Sequence, residues 1–302
     1  MIGAQVAFLG NSILYFNDCP RFFVNLGQGS VARQDSCLRG GTNLAELWDQ
    51  GNGMRQHGFA TAAAKTGAGG SDGGDAYDVG APTVRALLGG ADGGGSAGGR
   101  TTWDFAVLND HTQGPARSAS REAARTVLLE RYLPLLLASG ATPVFVETAA
   151  YLVPGIHGSA DLGSADEFQR RVREGLRAYV DALRPRLPPA QAPRLAPVGA
   201  AFACVRDRDR ALFERLFDPY DHFHPSATGT FLQGCVLHCT LFGRSPPLPR
   251  TEADTANLWR DSRIKHRSGR EKRQRLPSVM DVEYLWGIAN EVCASHSDIS
   301  QV

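Results

Sequence analysis

Short apolar runs alternate along the chain with longer stretches in which apolar residues recur every three or four positions. The first pattern is typical of buried strands and the second of helices with one buried face. This alternation predicts βαβ units, and therefore a parallel sheet between two layers of helices. The strand runs are residues 5–9, 31–37, 103–108, 142–148 and 195–198, and the helical stretches are 42–50, 117–139, 165–187 and 228–242.

Two segments fall outside this alternation. Residues 67–99 contain 13 glycines, which predicts a long loop with at most a short helix at 83–88. Formal G-x-S-x-G and G-x-G-x-x-G matches at 93–98 lack the strand and helix that these motifs require. Residues 260–275 hold eight Lys or Arg against two acidic residues, and a final helix is predicted at 279–292. We therefore expect one domain over 1–245 with a glycine-rich insertion at about 67–99, and an extension over 246–302 packed on it.

Composition and charge exclude several classes of protein. The chain has 302 residues, of which 42% are hydrophobic, so it has enough apolar surface for a large core. Its 32 basic and 31 acidic residues leave a net charge of +1, which gives no case for a nucleic-acid-binding protein. The basic segment is more typical of a solvated region than of an RNA contact. No run of 18 apolar residues is present, so we expect no membrane span.

The cysteines indicate neither a disulfide framework nor a metal site. None of the six forms a C-x-x-C pair, and the first residues lack the basic and apolar regions of a secretory signal. Cys235, His238 and Cys239 share one predicted helix face, but no fourth zinc ligand is apparent, so a buried helix surface is favoured. We expect a cytoplasmic protein with no cofactor and no bound metal. The sequence does not indicate its oligomeric state.

Two polar motifs directly follow predicted strands. Ser12 lies in Gly10-Asn11-Ser12 after the first strand, and Asn109 follows the strand 103–108. The carboxyl ends of parallel strands meet at one edge of a sheet, where open α/β folds place their sites. Each motif also has a purely structural interpretation, with Ser12 as a helix N-cap and Asn109 as a turn residue.

A third motif precedes the helix at 228–242. Asp221 stands three residues before His224, so its carboxylate can accept a hydrogen bond from the Nδ1–H of the imidazole. That contact fixes the tautomer and leaves Nε2 available to take a proton. Two alternatives stay open. Ser226 or Asp221 would cap the helix in one, and Asp221, His222 and His224 would bind a metal in the other, although no second ligand cluster accompanies them.

Together these motifs resemble the SGNH hydrolase superfamily, also called the GDSL-like esterases, over about residues 4–243. Residues 10–12 are similar to the first block of the family, Asn109-Asp110 to the third, and 221–225 to its Asp-x-x-His-Pro block. The glycine of the second block falls in 39–42, where spacing favours Gly40 over Gly41. The resemblance implies a flavodoxin-like three-layer α/β/α fold around a five-stranded parallel sheet.

The chain departs from the usual family pattern in its first and third blocks. Asn11 replaces the usual Asp, and the third block lacks its Gly. The start is more similar to a branch in which Gly-Asn-Ser is followed by Tyr and by Asn-Asp-x-Pro. The matching residues here are Tyr15, Asn17, Asp18 and Pro20.

The resemblance implies acyl transfer through a serine ester. Ser12 would be the nucleophile, His224 its base, and Asp221 the group that orients the imidazole. The backbone N–H groups of Ser12 and Gly40 and the side-chain amide of Asn109 would form the oxyanion hole. The predicted function is a serine esterase acting on a small or medium acyl ester, such as an O-acetylated sugar. An acyltransferase and a non-catalytic binding module are the alternatives.

Three further residues are weaker candidates for the substrate pocket. His111 and Thr112 follow the Asn109 motif, and Glu147 ends the strand at 142–148. For each of them, ordinary loop packing or capping is an equal alternative.

Overall fold

The centre of the molecule is a sheet of five parallel strands with a two-residue antiparallel strand at one edge. The computed structural model describes residues 3–54, 65–66, 80–89, 102–260 and 275–297. In the described part the strand order is β3-β2-β1-β4-β5-β6, and β3 is the antiparallel strand. The strands are β1 (Ala4–Gly10), β2 (Val31–Leu38), β3 (Lys65–Thr66), β4 (Phe105–Leu108), β5 (Thr142–Val146) and β6 (Arg194–Ala196). The predicted five-stranded parallel sheet is therefore confirmed, and β3 was not predicted.

Helices cover both faces of this sheet. Val6 and Phe8 of β1 point into one core, and Ala7 and Leu9 point into the other, as alternation along a strand requires. The helices are α1 (Ser12–Tyr15), α2 (Cys19–Gly27), α3 (Leu44–Gln50), α4 (Val84–Gly89), α5 (Ser118–Val127), α6 (Leu133–Ser139), α7 (Ala165–Leu183), α8 (Val198–Arg208), α9 (Arg210–Arg215), α10 (Ala227–Phe242), α11 (Glu252–Leu258) and α12 (Val279–Ser297). The result is a three-layer α/β/α architecture. None of the described helices has the length and apolarity needed to cross a bilayer.

The register of the central strands brings three loops together. Leu9 of β1 pairs with Cys37 of β2 on one side and with Leu108 of β4 on the other. The three strands thus end level with one another at the carboxyl edge of the sheet. The loops that follow carry Ser12, Gly40 and Asn109.

The predicted helix at 117–139 is divided, as the proline within it suggests. A π-helical turn at Leu128–Tyr132 separates α5 from α6, and Pro134 lies in the first turn of α6. Proline is tolerated there because the first N–H groups of a helix have no partner within it. Gly140 ends α6 in the left-handed conformation, with a φ of 78°.

The predicted strand at 195–198 extends too far. β6 ends at Ala196, Pro197 follows, and Val198 already begins α8. Helices α2, α8, α9 and α11 were not predicted either. α2 has apolar residues at helical spacing but is only nine residues long, and most of it is buried.

Helix α12 shares a core with the sheet. Val282, Leu285, Ile288 and Val292 are buried in the same apolar cluster as the side chains of α8 and α10. Bidentate contacts from Arg208 and Arg215 to acidic residues of α12 add to this packing. Two predicted features lie outside the described residues. They are most of the glycine-rich insertion, at 67–79 and 90–99 with the motif matches at 93–98, and the basic positions 261–274.

Candidate active site

The turn after β1 presents Ser12 at the start of α1. The N-cap of this helix is Asn11, whose Oδ1 accepts a hydrogen bond from Ile13 N at 3.1 Å, so Ser12 is not the cap. Asn11 Nδ2 also donates to Thr42 O at 3.0 Å, which ties this turn to the loop after β2. Gly10 is required here because a Cβ at its position would lie 2.7 Å from Asn109 O.

The structure shows why an amide suits position 11, where the proteins that the motifs resemble usually have Asp. An ionised carboxylate has no N–H to donate, so it would meet the carbonyl oxygen of Thr42 as a second acceptor. Asn11 instead satisfies both the end of α1 and the neighbouring loop. The substitution therefore fits the local hydrogen bonding of this chain.

Asn109 lies directly beside the Ser12 turn. Its backbone N–H donates to Leu9 O at 2.9 Å, which continues the pairing of β4 with β1. Its side chain is buried, and Nδ2 donates to Asp110 O at 3.1 Å. The structure thus brings Asn109 next to the turn but leaves its amide below the surface of the cleft described below.

Asp110 connects three elements beneath the site. Its carboxylate accepts hydrogen bonds from Leu44 N at 3.0 Å, His111 N at 2.9 Å and the Tyr179 hydroxyl at 2.9 Å. Complete burial raises the pKa of Asp110 above its usual value, although these donors act in the opposite direction. The contacts hold the start of α3 and the loop after β4 in fixed positions.

The His224 turn contains a direct carboxylate–imidazole contact. Asp221 Oδ2 lies 2.8 Å from His224 Nδ1, and Asp221 Oδ1 accepts hydrogen bonds from His224 N at 3.0 Å and Phe223 N at 3.2 Å. Burial acts to raise the pKa of Asp221, but the hydrogen bonds from His224 and Phe223 hold it below its ordinary value. Ser226 caps α10 by accepting a hydrogen bond from Gly229 N. The turn therefore contains both the helix cap and the Asp221–His224 contact.

The segment after α1 packs against this turn. The ring of Phe16 stacks on the imidazole of His224 with a centroid separation of 3.6 Å and an angle of 6°. Phe223 contacts the same imidazole at 3.9 Å. Asn17 Nδ2 donates to Pro225 O at 2.9 Å and to Thr230 Oγ1 at 3.0 Å. The residues that follow Ser12 therefore hold the imidazole and its turn in position.

One cleft of about 430 Å³ brings most of the predicted site residues together. Ser12, Gly40, Gly41 and His224 line it, while Asp221 lies behind His224. A larger cleft of about 880 Å³ opens at the opposite, amino-terminal edge of the sheet and contains none of these residues. The other lining residues are Asn11, Ile13, Tyr15, His111, Thr112, Gln113, Tyr151, His157 and Phe223.

Tyr151, His157 and Gln113 were not identified from the sequence. They form a connected wall, in which Gln113 Nε2 donates to the Tyr151 hydroxyl at 3.1 Å and to His157 O at 2.8 Å. These residues come from loops after β4 and β5 and belong to no motif. His111 and Thr112 line the cleft, whereas Glu147 is fully buried and bound by Arg173 and Gln169.

The lining of the cleft carries no carboxylate, guanidinium or ammonium group. Burial lowers the pKa of His111, so its imidazole favours the neutral form, and its Nδ1 lies 3.3 Å from Gln113 N. Among the described residues, the lining therefore combines apolar and polar groups and carries no side chain with a fixed charge. Within the described residues, no three His, Cys, Asp or Glu side chains converge as metal ligands would. At the Cys235 helix face, His238 Nδ1 instead contacts Arg244 O at 2.9 Å.

Comparisons with known proteins identify the class of fold. Neither a protein-family model nor a curated protein matches the chain. Among solved structures, it is similar to a proposed SGNH hydrolase from Slackia heliotrinireducens, with a TM-score of 0.50 and 23% identity over 79% of this chain and 99% of that one. It is also similar to a DUF4886 family protein from Bacteroides uniformis, with a TM-score of 0.53 and 16% identity over 86% of this chain and 93% of that one. The chain has an SGNH-like three-layer α/β/α fold.

Proposed function

We propose that the protein is a serine esterase that hydrolyses a small or medium acyl ester through an acyl-enzyme on Ser12. One observation carries the proposal. Ser12 and His224 line the same cleft at the carboxyl edge of the sheet, and Asp221 contacts the far nitrogen of that imidazole at 2.8 Å. Nucleophile, base and orienting carboxylate are the three parts that acyl transfer by serine requires.

In this mechanism Ser12 Oγ attacks the ester carbonyl and transfers its proton to His224 Nε2. Asp221 accepts the Nδ1–H bond and stabilises the imidazolium that forms. The tetrahedral intermediate collapses as the C–O bond to the alcohol breaks, and the alcohol leaves with the proton from His224. Water, activated by the same imidazole, then releases the acid and restores Ser12.

The developing oxyanion needs donors that are already in place. The backbone N–H groups of Ser12 and Gly40 are our assignments, and Gly41 lines the same part of the cleft. Asn109 would supply the third donor. One of its two amide hydrogens bonds to Asp110 O, so the second remains for the substrate oxygen.

The cleft favours an uncharged ester of modest size. Its volume of about 430 Å³ is in the lower part of the range for small-molecule sites. Thr112, Gln113 and His111 offer polar contacts, and Tyr151 and Phe223 add aromatic rings to the same lining. An O-acetylated sugar combines a small acyl group, hydroxyl groups and an apolar ring face, which suits this lining.

Labelling with a fluorophosphonate probe, followed by peptide mass mapping, tests the proposal. We expect Ser12 Oγ to displace fluoride from phosphorus, giving a label on the Ser12 peptide that is lost in Ser12→Ala and strongly slowed in His224→Ala. Ser118→Ala, a serine at the start of α5, is the control and should label normally. Absence of label on folded protein would contradict the proposal and favour the binding-module alternative.

If Ser12 labels, product analysis separates hydrolysis from acyl transfer. A chromogenic acetate ester would be incubated with the protein in the presence and absence of an alcohol acceptor. Release of free acid that is unaffected by the acceptor is the expected result. Formation of the new ester as the main product would instead identify an acyltransferase.

A further inference from the structure

The hydroxyl of Tyr151 lies where the side chains of two cleft residues meet. Gln113 Nε2 donates a hydrogen bond to it at 3.1 Å, and both residues line the cleft. The Tyr151 ring packs edge-on against Phe168 at a centroid distance of 5.2 Å and against Phe223 at 5.4 Å. Tyr151 is only 4% exposed, so this packing holds its ring in a fixed position.

Arg117 fixes the orientation of the Gln113 amide. A guanidinium group can only donate, so the Gln113 atom that Arg117 Nη1 contacts is the oxygen Oε1. Arg117 is itself held by a bidentate contact with Asp161. Gln113 Nε2 therefore faces the other way, and its two hydrogens go to the Tyr151 oxygen and to His157 O.

The Tyr151 hydroxyl is thus an acceptor toward Gln113 and keeps its own hydrogen for another group. Among the described residues, the structure shows no acceptor for that hydrogen. Burial raises the pKa of Tyr151, partly offset by the bond from Gln113, so the phenol stays protonated at neutral pH. A bound substrate oxygen can accept this hydrogen in place of water.

Tyr151 and His157 lie on the side of the cleft where the alcohol leaves. Both rings contact Phe223, at centroid distances of 5.4 and 4.4 Å, and Phe223 contacts the imidazole of His224 at 3.9 Å. His157 Nε2 also lies 3.4 Å from Asp221 O. In the proposed mechanism His224 gives its proton to the alcohol oxygen, so the alcohol leaves beside this imidazole. The Tyr151 wall therefore borders the alcohol part of the ester.

We propose that Tyr151 is a specificity-determining residue, whose hydroxyl donates a hydrogen bond to a hydroxyl oxygen on the alcohol part of the ester. This inference rests on the proposed function and adds the class of alcohol, which is a polyol such as glycerol or a sugar. No described lining residue carries a fixed charge, so a neutral oxygen suits the wall better than a carboxylate or a phosphate. A site that binds a substrate hydroxyl discriminates against the analogue without it, because the protein group then loses its partner.

Two esters with the same carbon skeleton provide the test. Glycerol 1-acetate and propyl acetate differ only in the hydroxyl groups of the alcohol part. In Tyr151→Phe we expect the ratio of their kcat/KM values, glycerol 1-acetate over propyl acetate, to fall about 3- to 10-fold, as loss of a hydrogen bond between neutral groups predicts. The value for propyl acetate and the rate of fluorophosphonate labelling should stay within about twofold of wild type, since neither reaction uses this hydroxyl.

Tyr284→Phe is the matched control. It removes a partly exposed phenol hydroxyl on α12, away from the residues that line the cleft. The ratio of the two kcat/KM values should equal that of the wild-type chain.

The outcomes are distinct. An unchanged ratio in Tyr151→Phe, with Ser12 labelled at the wild-type rate, would overturn the role of Tyr151 and leave the proposed function intact. An equal fall for both esters would overturn it too, because the hydroxyl would then serve only the packing of the wall. The same conclusion follows if wild-type protein that labels on Ser12 hydrolyses neither ester. Absence of label on wild-type Ser12 would overturn the proposed function and this assignment with it.

Discussion

Among single side chains, Asn109 affects both the stability of the fold and the proposed catalysis. It is buried beside the Ser12 turn, and one amide hydrogen bonds to the adjacent carbonyl. In the proposed mechanism its second amide hydrogen reaches the oxyanion from beneath the cleft, and preorganised donors of this kind contribute strongly to catalysis. The same burial means that its loss must be measured against any loss of stability.

For Asn109→Ala we expect turnover of an acetate ester to fall about 10²- to 10³-fold while the fold is retained, because one oxyanion donor is removed. Steady-state kinetics and thermal unfolding of the same sample measure the two effects separately. Thr112→Ala, at a cleft position without an assigned role in the reaction, is the comparison and should lower turnover far less. An unchanged rate in Asn109→Ala would remove Asn109 from the oxyanion hole.

Single residues were predictable from the sequence where a motif carried them. The spacing of Asp221 and His224 suggested their contact, and the structure has it at 2.8 Å. Tyr151 and His157 could not be found, because loop residues of common types have no pattern that distinguishes them. Only the folded chain brings them into the same cleft as Ser12.

Among the structural elements, the segment that follows α1 and the turn that carries His224 define the geometry of the site. Phe16 follows α1 and stacks on His224, while Asn17 bonds to the carbonyl of Pro225 just beyond that histidine. Asn17 has a φ of 53°, a left-handed conformation that asparagine adopts more readily than most residues. The motif after Ser12 thus holds in place the imidazole of His224, which is the base in the proposed mechanism.

Phe16→Leu should lower the fluorophosphonate labelling rate about 3- to 10-fold, since leucine fills much of the volume but cannot stack on the imidazole. The control is Phe202→Leu, which removes a buried ring that packs on Phe217 outside the cleft. We expect both variants to unfold at lower temperature and only Phe16→Leu to label more slowly per folded molecule. Equal labelling rates would show that the stack has no role in the reaction.

Element prediction succeeded for long segments that have clear capping and stop residues, such as Ser164 before α7 and Gly243 after α10. α7 and α10 have the starts and ends that their patterns indicate to within a few residues. α2 was not predicted although its apolar residues recur at helical spacing, because its nine residues contain a proline and lie between two breaks in the left-handed conformation that glycine favours, which gives a short and interrupted pattern. β3 pairs over two residues only, which is too short for any sequence signal.

At the scale of the whole molecule, the C-terminal helix is part of the main core. Leu285 of α12 is completely buried, whereas Met280 on the same helix is 82% exposed. Burying a large apolar side chain contributes about 1.5–3 kcal/mol. Several such side chains on α12 together approach the net stability of an ordinary domain, so we expect residues 1–245 to depend on this helix for their stability.

Leu285→Ala is expected to reduce the free energy of unfolding by about 2–5 kcal/mol, through lost burial and the cavity it leaves. Met280→Ala, an exposed change on the same helix, should alter it by less than about 0.5 kcal/mol. Urea unfolding of the two variants gives both values. If Leu285→Ala were as stable as Met280→Ala, α12 would be an appendage and not part of the core.

The hydrogen bond from Asn17 to Pro225 joins residues 208 positions apart, and this separation has a consequence for synthesis. At about 5–20 residues per second, the ribosome releases the histidine turn roughly 10–40 s after the serine turn. Throughout that interval the nascent chain carries Ser12 without the imidazole that would activate it. If Ser12 is the nucleophile that we propose, it can be activated only once most of the chain has been made, and an incomplete polypeptide would carry an inert serine.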